Sequence, residues 1–383
     1  MADAETVPGF DPTSVDLTAA DPRDIICYLN AEGNEYDGRL GARISAIFVL
    51  LLTSTAATVF PVLAARVRRL KIPLCVYLFA RYFGAGVIIA TAFIHLLDPA
   101  YEAVGPASCV GMTGHWADFS WVPAIALTAV MFTFLLDFGA EWYVENQYRL
   151  PHAHSDVEGA ITSGAGADAH TLNGQNDHSG HHQHLHSADQ EERPARPALN
   201  RDKLDDLENF PTSASSTAER TFREQIVAFI ILEFGVIFHS VMIGLNLGVA
   251  GDEFSTLYPV IVFHQAFEGL GIGARLSSIP FPQRLTSLPW MLCAAYGLTT
   301  PVALAIGIGL STQYNPGSFT ATVVSGVLDS ISAGILLYTG LVELLARDFL
   351  FNQTRTREGK RIAFMLVCLF LGIIIMALLG KWA

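Results

Sequence analysis

Residues 285–328, LTSLPWMLCAAYGLTTPVALAIGIGLSTQYNPGSFTATVVSGVL, hold forty-four positions without one charged side chain. A helix that crosses the hydrocarbon of a bilayer takes about 20 residues. The stretch is therefore too long for one crossing. It is interrupted by Ser311-Thr312-Gln313-Tyr314-Asn315-Pro316-Gly317-Ser318, a run of turn formers. It reads as one full span, a short loop, and the start of a second span that continues to about Ala346.

Working outward, Ile44 to Ala65, Phe119 to Leu136 and Ile362 to Gly380 are uncharged throughout. Three further apolar stretches carry isolated polar residues: Leu74 to Leu97, Gln225 to Ala250 and Phe254 to Ala274. The expected fold is an all-α polytopic membrane protein with eight transmembrane helices. Backbone amides inside lipid have no water to bond, which leaves helices or a closed barrel. A barrel would alternate apolar and polar residues over segments of about ten, and these runs do not alternate. The composition agrees. Over 383 residues, 51% are hydrophobic and 15% charged, against about 25% charged in a soluble domain. A net charge of −13 excludes the basic face of a nucleic-acid binder.

The basic residues orient the spans. Nineteen of the 23 fall in the odd-numbered connections, and the other four are Arg23, Arg39, Arg43 and Lys381 near the two ends. By the positive-inside rule the odd connections are cytoplasmic and both termini extracellular. The domain reading is an acidic extracellular tail over 1–40, transmembrane helices 1–3 over 41–142, a disordered His-rich cytoplasmic loop over 143–222, and helices 4–8 over 223–383. The tail holds nine acids and lacks the basic region and apolar core of a signal peptide. Cys27 and Cys109 both fall in outside segments. The spacing is compatible with a disulfide between them or with two free thiols.

The loop carries eight of the twelve histidines, the densest run being His178, His181, His182, His184 and His186. Imidazole suits Zn²⁺, Ni²⁺ and Cu²⁺, so the run is expected to bind metal without a folded site; the alternative is a polar linker. Lys203 is the loop's one lysine. It is a candidate ubiquitin acceptor, with a solvated charge as the plainer reading.

Ionisable groups at membrane depth usually mark a pathway. The fourth span carries His239-Ser240-Val241-Met242-Ile243-Gly244, and the fifth His264-Gln265-Ala266-Phe267-Glu268-Gly269. His264 and Glu268 are four apart and share a helix face. A very short turn joins the two spans, and His239 and His264 lie equally far from it. Two imidazoles and a carboxylate at one depth suit a divalent metal ion, with Gln265, Ser240 and Asn246 as secondary ligands. The same groups could relay protons, or bond backbone carbonyls. His95, Asp137 and Glu343 are candidates for the pathway, with Asp98, Glu141 and Asp329 behind them.

These two motifs resemble the signature of the ZIP (Zrt-, Irt-like protein) metal-ion transporters. So do eight spans, outside termini, a His-rich loop between spans three and four, and the segment Ala333 to Glu343. The length and loop style are similar to fungal plasma-membrane zinc importers. The resemblance implies a 3+2+3 bundle in which the first and last three helices form an inverted repeat. It also implies that His239, His264 and Glu268 ligate the transported ion. Some relatives hold two metals with an Asn, a Glu and an Asp where this chain has Ser240, Ile243 and Gln265, and a further acid where it has Thr300. One metal is therefore expected here.

The function expected is import of Zn²⁺, with iron or manganese as other cargo, across the plasma membrane and without catalysis. A proton-coupled metal exporter is the alternative; a membrane-embedded zinc hydrolase or a receptor ranks behind it. Expected partners are the divalent ion, the lipid bilayer, a second copy of the chain and the ubiquitin machinery; nucleic acid is not among them.

Overall fold

A computed structural model describes residues 16, 20–30, 36–67, 73–148, 210–311, 313, 315–351 and 358–382. The run His178 to His186 and Lys203 lie outside the described residues. By contacts the chain forms two units, one of residues 1–144 with 218–383 and one of residues 145–217. The second unit contributes residues 145–148 and 210–217 to the description, all helical.

All regular secondary structure among the described residues is helical, with no strand. A short helix α1 (Pro22–Asn30) precedes α2 (Leu40–Arg66). Helix α3 starts at Leu74 and runs to Val104, its middle, Thr91–Leu97, wound as a π-helix. The series continues with α4 (Trp121–Tyr148), α5 (Phe210–Val249), α6 (Phe254–Ser277) and α7 (Leu288–Gly309). Helix α8 runs from Phe319 to Phe351, its second part, Thr339–Phe351, again a π-helix, and α9 covers Gly359–Leu379.

Seven of these helices are long and apolar enough to cross a membrane: α2, α3, α4, α5, α7, α8 and α9. Helix α6 is the expected span outside that set. Its 24 residues reach about 36 Å at 1.5 Å each, so length is not what it lacks. It carries His264, Gln265 and Glu268 among its buried residues, and these lower its hydropathy.

Two boundaries differ from the sequence reading. Helix α5 begins at Phe210, inside the stretch expected to be loop over 143–222. The run Ala214-Ser215-Ser216-Thr217-Ala218-Glu219-Arg220 mixes strong helix formers with weak ones and has no apolar stripe, so neither propensity nor hydrophobic pattern detects it. Helix α4 likewise extends past 142 to Tyr148.

Glycine sets how closely the helices pack. A Cβ on Gly271 of α6 would stand 2.9 Å from the Cα of Gly84 on α3. One on Gly248 of α5 would stand 2.7 Å from the Cα of Gly307 on α7. The backbones meet at both points, as small residues allow in lipid. Helix α2 packs along α6 and α7, and α3 along α6 and α9. The core between them includes Phe229, Leu232, Val236, Ile272, Tyr296 and Leu336. Leucine and phenylalanine side chains on the outer faces, such as Leu127, Phe132 and Leu135 of α4, are exposed, as a lipid-facing surface requires.

Cys27 of α1 and Cys109, beyond α3, form a disulfide with Cα atoms 4.6 Å apart. It ties the amino-terminal helix to the loop before α4. Cys75, Cys293 and Cys368 are free thiols, the last two buried.

Arg43 of α2 is fully buried. Its guanidinium donates to the carbonyls of Leu247 (2.9 Å), Gly248 (3.0 Å) and Ala250 and to Asp37 Oδ1 (2.9 Å). The last carbonyls of a helix have no intrahelical donor and carry the negative end of its dipole. Arg43 supplies both donor and charge at the end of α5, and its guanidinium also lies 4.6 Å from the ring centroids of Tyr36 and Phe254. One side chain thus fastens α2 to the turn between α5 and α6.

Candidate metal centre

The antiparallel pair α5 and α6 brings His239, His264 and Glu268 together. One ligand atom from each lies within 4.8 Å of the others, and the three residues are 4%, 1% and 0% exposed. The His239 and His264 ring centroids are 5.5 Å apart, and His264 Nε2 is 3.8 Å from Glu268 Oε2. His239 Nε2, His264 Nε2 and Glu268 Oε1 are buried without a hydrogen-bond partner among the described residues. Leaving such groups unsatisfied is costly. A divalent cation would satisfy all three at once.

Zn–N bonds of about 2.0–2.1 Å in a tetrahedron place ligand atoms roughly 3.3 Å apart. Two imidazoles and one carboxylate leave a coordination position for water or a further ligand, which suits an ion that must leave again.

A second layer holds these groups. Tyr296 of α7 directs its hydroxyl to Gln265 O (3.0 Å), Gln265 Oε1 (3.2 Å) and Glu268 Oε2 (3.4 Å). The Gln265 side-chain amide donates to Thr300 Oγ1. Gln265, expected as a secondary ligand, is therefore already engaged by α7 on both ends of its amide. Ser240 is fully buried beside His239, with its hydroxyl oxygen unpartnered among the described residues. Asn246 lies exposed toward the end of α5, so the structure does not bring it into the cluster.

His95 joins the cluster from α3. Its ring stands edge-on to His264 with centroids 4.7 Å apart, and its Nε2 lies 3.0 Å from the Met376 carbonyl. It sits in the π-helical segment Thr91–Leu97, and such turns often occur at functional sites. Asp98, three residues on, is exposed.

The acids at the other end of the bundle have cationic partners. Arg275 Nη2 (3.1 Å) and Arg347 Nη1 (3.0 Å) both donate to Glu343 Oε2. Arg347 also lies 3.5 Å from Glu141 and 3.9 Å from Asp137, and Asp137 accepts from the Tyr338 hydroxyl at 2.9 Å. Arg81 forms a two-point pair with Asp348 at 2.7 and 3.0 Å. Asp329, elsewhere on α8, is buried and accepts from Ser325 at 3.2 Å.

Sequence reasoning did not reach Tyr296 or Arg43. A tyrosine in an uncharged span and an arginine at the head of another were the available signals, and neither names its partner.

The family profile described as "ZIP Zinc transporter" matches residues 40–380. Zinc-regulated transporter 1 of Saccharomyces cerevisiae is 52% identical over 98% of this chain and 97% of its own length. Zinc-regulated transporter 1 of Schizosaccharomyces pombe is 40% identical over 92% of this chain and 87% of its own. Zinc transporter 9 of Oryza sativa is 34% identical, covering 94% of each chain. No solved structure matches.

Proposed function

Since this chain belongs to the ZIP zinc transporter family, we propose that it carries Zn²⁺ into the cytoplasm through a mononuclear site formed by His239, His264 and Glu268. The observation that carries the site assignment is the convergence of three buried residues whose ligand atoms lie within 4.8 Å of one another, each residue also holding a buried side-chain atom without a partner among the described residues. The single-ion reading is supported by Gln265 and Thr300, which are bonded to each other where a second ion would need acids.

The membrane frame proposed is eight spans in a 3+2+3 arrangement with both termini outside. Support comes from α6, long enough to cross and packed along α2 and α3, and from the basic residues in the odd connections. A Cys27–Cys109 disulfide suits an oxidising exterior. The plasma membrane is the proposed location, in keeping with that exterior. The histidine run 178–186 is proposed to bind metal on the cytoplasmic side, and Lys203 to accept ubiquitin there. Pairing with a second copy through the exposed faces of the spans is part of the same reading.

⁶⁵Zn uptake in a transporter-deficient cell tests the site. His239→Ala, His264→Ala and Glu268→Ala, each normalised to surface protein, are expected to abolish uptake. Wild-type uptake by all three variants would end the assignment.

A further inference from the structure

Glu233 lies six residues before His239 on α5, about 9 Å along the helix axis toward its amino-terminal end. It is 4% exposed, and neither carboxylate oxygen has a hydrogen-bond partner among the described residues. Glu343, the other glutamate buried below the cluster, is held by two arginines. Glu233 has no such ion pair there. A carboxyl group at membrane depth without a partner is costly and points to a transient occupant.

Its surroundings connect it to the cluster. Glu233 and Ser240 are seven apart and so share one face of α5, where the Ser240 hydroxyl oxygen is also buried and unpartnered. Leu232 and Val236, on either side of Glu233 on α5, pack in one core cluster with Cys293 and Tyr296 of α7, and Tyr296 is the residue that touches Glu268 and Gln265. Further along α5, Gln225 presents another buried, unpartnered side-chain oxygen. The unsatisfied atoms thus run from His239, His264 and Glu268 past Glu233 to Gln225, in the direction of the arginine-rich end.

We propose that Glu233 is a second holding position for the transported divalent cation, one step inward from the three-ligand site. Resting on the reading that His239, His264 and Glu268 carry the ion, it adds a hard oxygen ligand that takes the ion, partly hydrated, as the imidazoles release it. An all-oxygen, water-completed site holds Zn²⁺ less tightly than two imidazoles do, which favours onward movement.

The test is surface-normalised ⁶⁵Zn uptake by wild type, Glu233→Gln, Glu233→Asp and His264→Ala. Gln keeps the volume and loses the charge; Asp keeps the charge and loses a methylene. A holding site requires Asp to outperform Gln, with Gln lowering the maximal rate about tenfold or more while KM stays unchanged. Wild-type uptake by Gln, or Gln outperforming Asp, makes Glu233 a packing residue and overturns the proposal. Should Gln fail to reach the surface, Asp is compared with Glu233→Ala; Asp transporting no better than Ala overturns it equally. Unchanged uptake by His264→Ala would remove the three-ligand reading itself, an outcome separate from those.

Discussion

His95 meets His264 edge to face, with ring centroids 4.7 Å apart, so helix α3 contributes directly to a cluster otherwise built on α5 and α6. Its Nε2 is held by the Met376 carbonyl of α9, which fixes the ring while Nδ1 remains for another partner. His95→Ala is expected to raise the KM for zinc about tenfold, and less severely to reduce the maximal rate. His95→Phe separates packing from ligation, because it keeps a ring against His264 without nitrogen. Uptake by His95→Phe at the wild-type KM would assign the contact to packing alone.

The Tyr296 hydroxyl has one proton and three acceptors in reach, on Gln265 and Glu268. Removing it leaves α6 with buried oxygens short of a donor, a loss of about 1 kcal/mol or somewhat more. Tyr296→Phe should therefore raise the KM for zinc uptake roughly three- to tenfold without reducing surface protein. A larger effect on abundance than on KM would show that the hydroxyl serves folding instead.

Much of this was legible before any coordinates. The spans follow from uncharged runs, and the meeting of His239, His264 and Glu268 from spacing, since four residues put His264 and Glu268 on one face and a tight turn sets His239 at the same depth. What escaped depends on contacts distant in sequence. His95 reads as a candidate for the pathway, but an α-helical register gives no warning that the π-helix at Thr91–Leu97 sets its ring against His264. The acids Asp137, Glu141 and Glu343 read as a cation route, yet Arg275 and Arg347 reach them from other turns and helices. Helix α5 begins earlier than expected, and its first turns, rich in serine and threonine, show neither an apolar face nor strong helix propensity to mark them.

The Arg275–Glu343 pair joins α6, the helix carrying His264 and Glu268, to α8. Both side chains are largely buried, at 10% and 2% exposed. Truncating one partner leaves an uncompensated buried charge and typically costs about 3–5 kcal/mol, whereas replacing both by apolar groups can be neutral. Arg347 also touches Glu343, so Arg275→Met is the cleaner half of a double-mutant cycle. Glu343→Leu alone is expected to lower the Tm of the purified protein in detergent. Adding Arg275→Met should recover part of that loss. A double variant that loses as much as the two single variants together would show that the two groups are not coupled.

Asp37, just before α2 and paired with Arg43, gives a pH-dependent prediction. The Arg43 guanidinium hydrogen-bonded to Asp37 holds that carboxyl below its ordinary value, with Arg39 adding to the effect. A carboxyl depressed in the folded state contributes stability above its unfolded value, about 3.9. That contribution is lost as pH falls through the lower folded value. Asp37→Asn should thus lower the Tm at pH 7, by an amount that shrinks at a second, acidic pH below about 3.9 as Asp37 takes up its proton. Arg43 does more than pair with Asp37, because it also satisfies three carbonyls at the end of α5. Arg43→Met should be more destabilising than Asp37→Asn at both pH values. Arg43→Lys should rescue it only in part, since an ammonium cannot reproduce the planar fork. Equal Tm values for Arg43→Met and Asp37→Asn at pH 7 would mean that the carbonyl contacts add nothing to the hold on the α5–α6 turn.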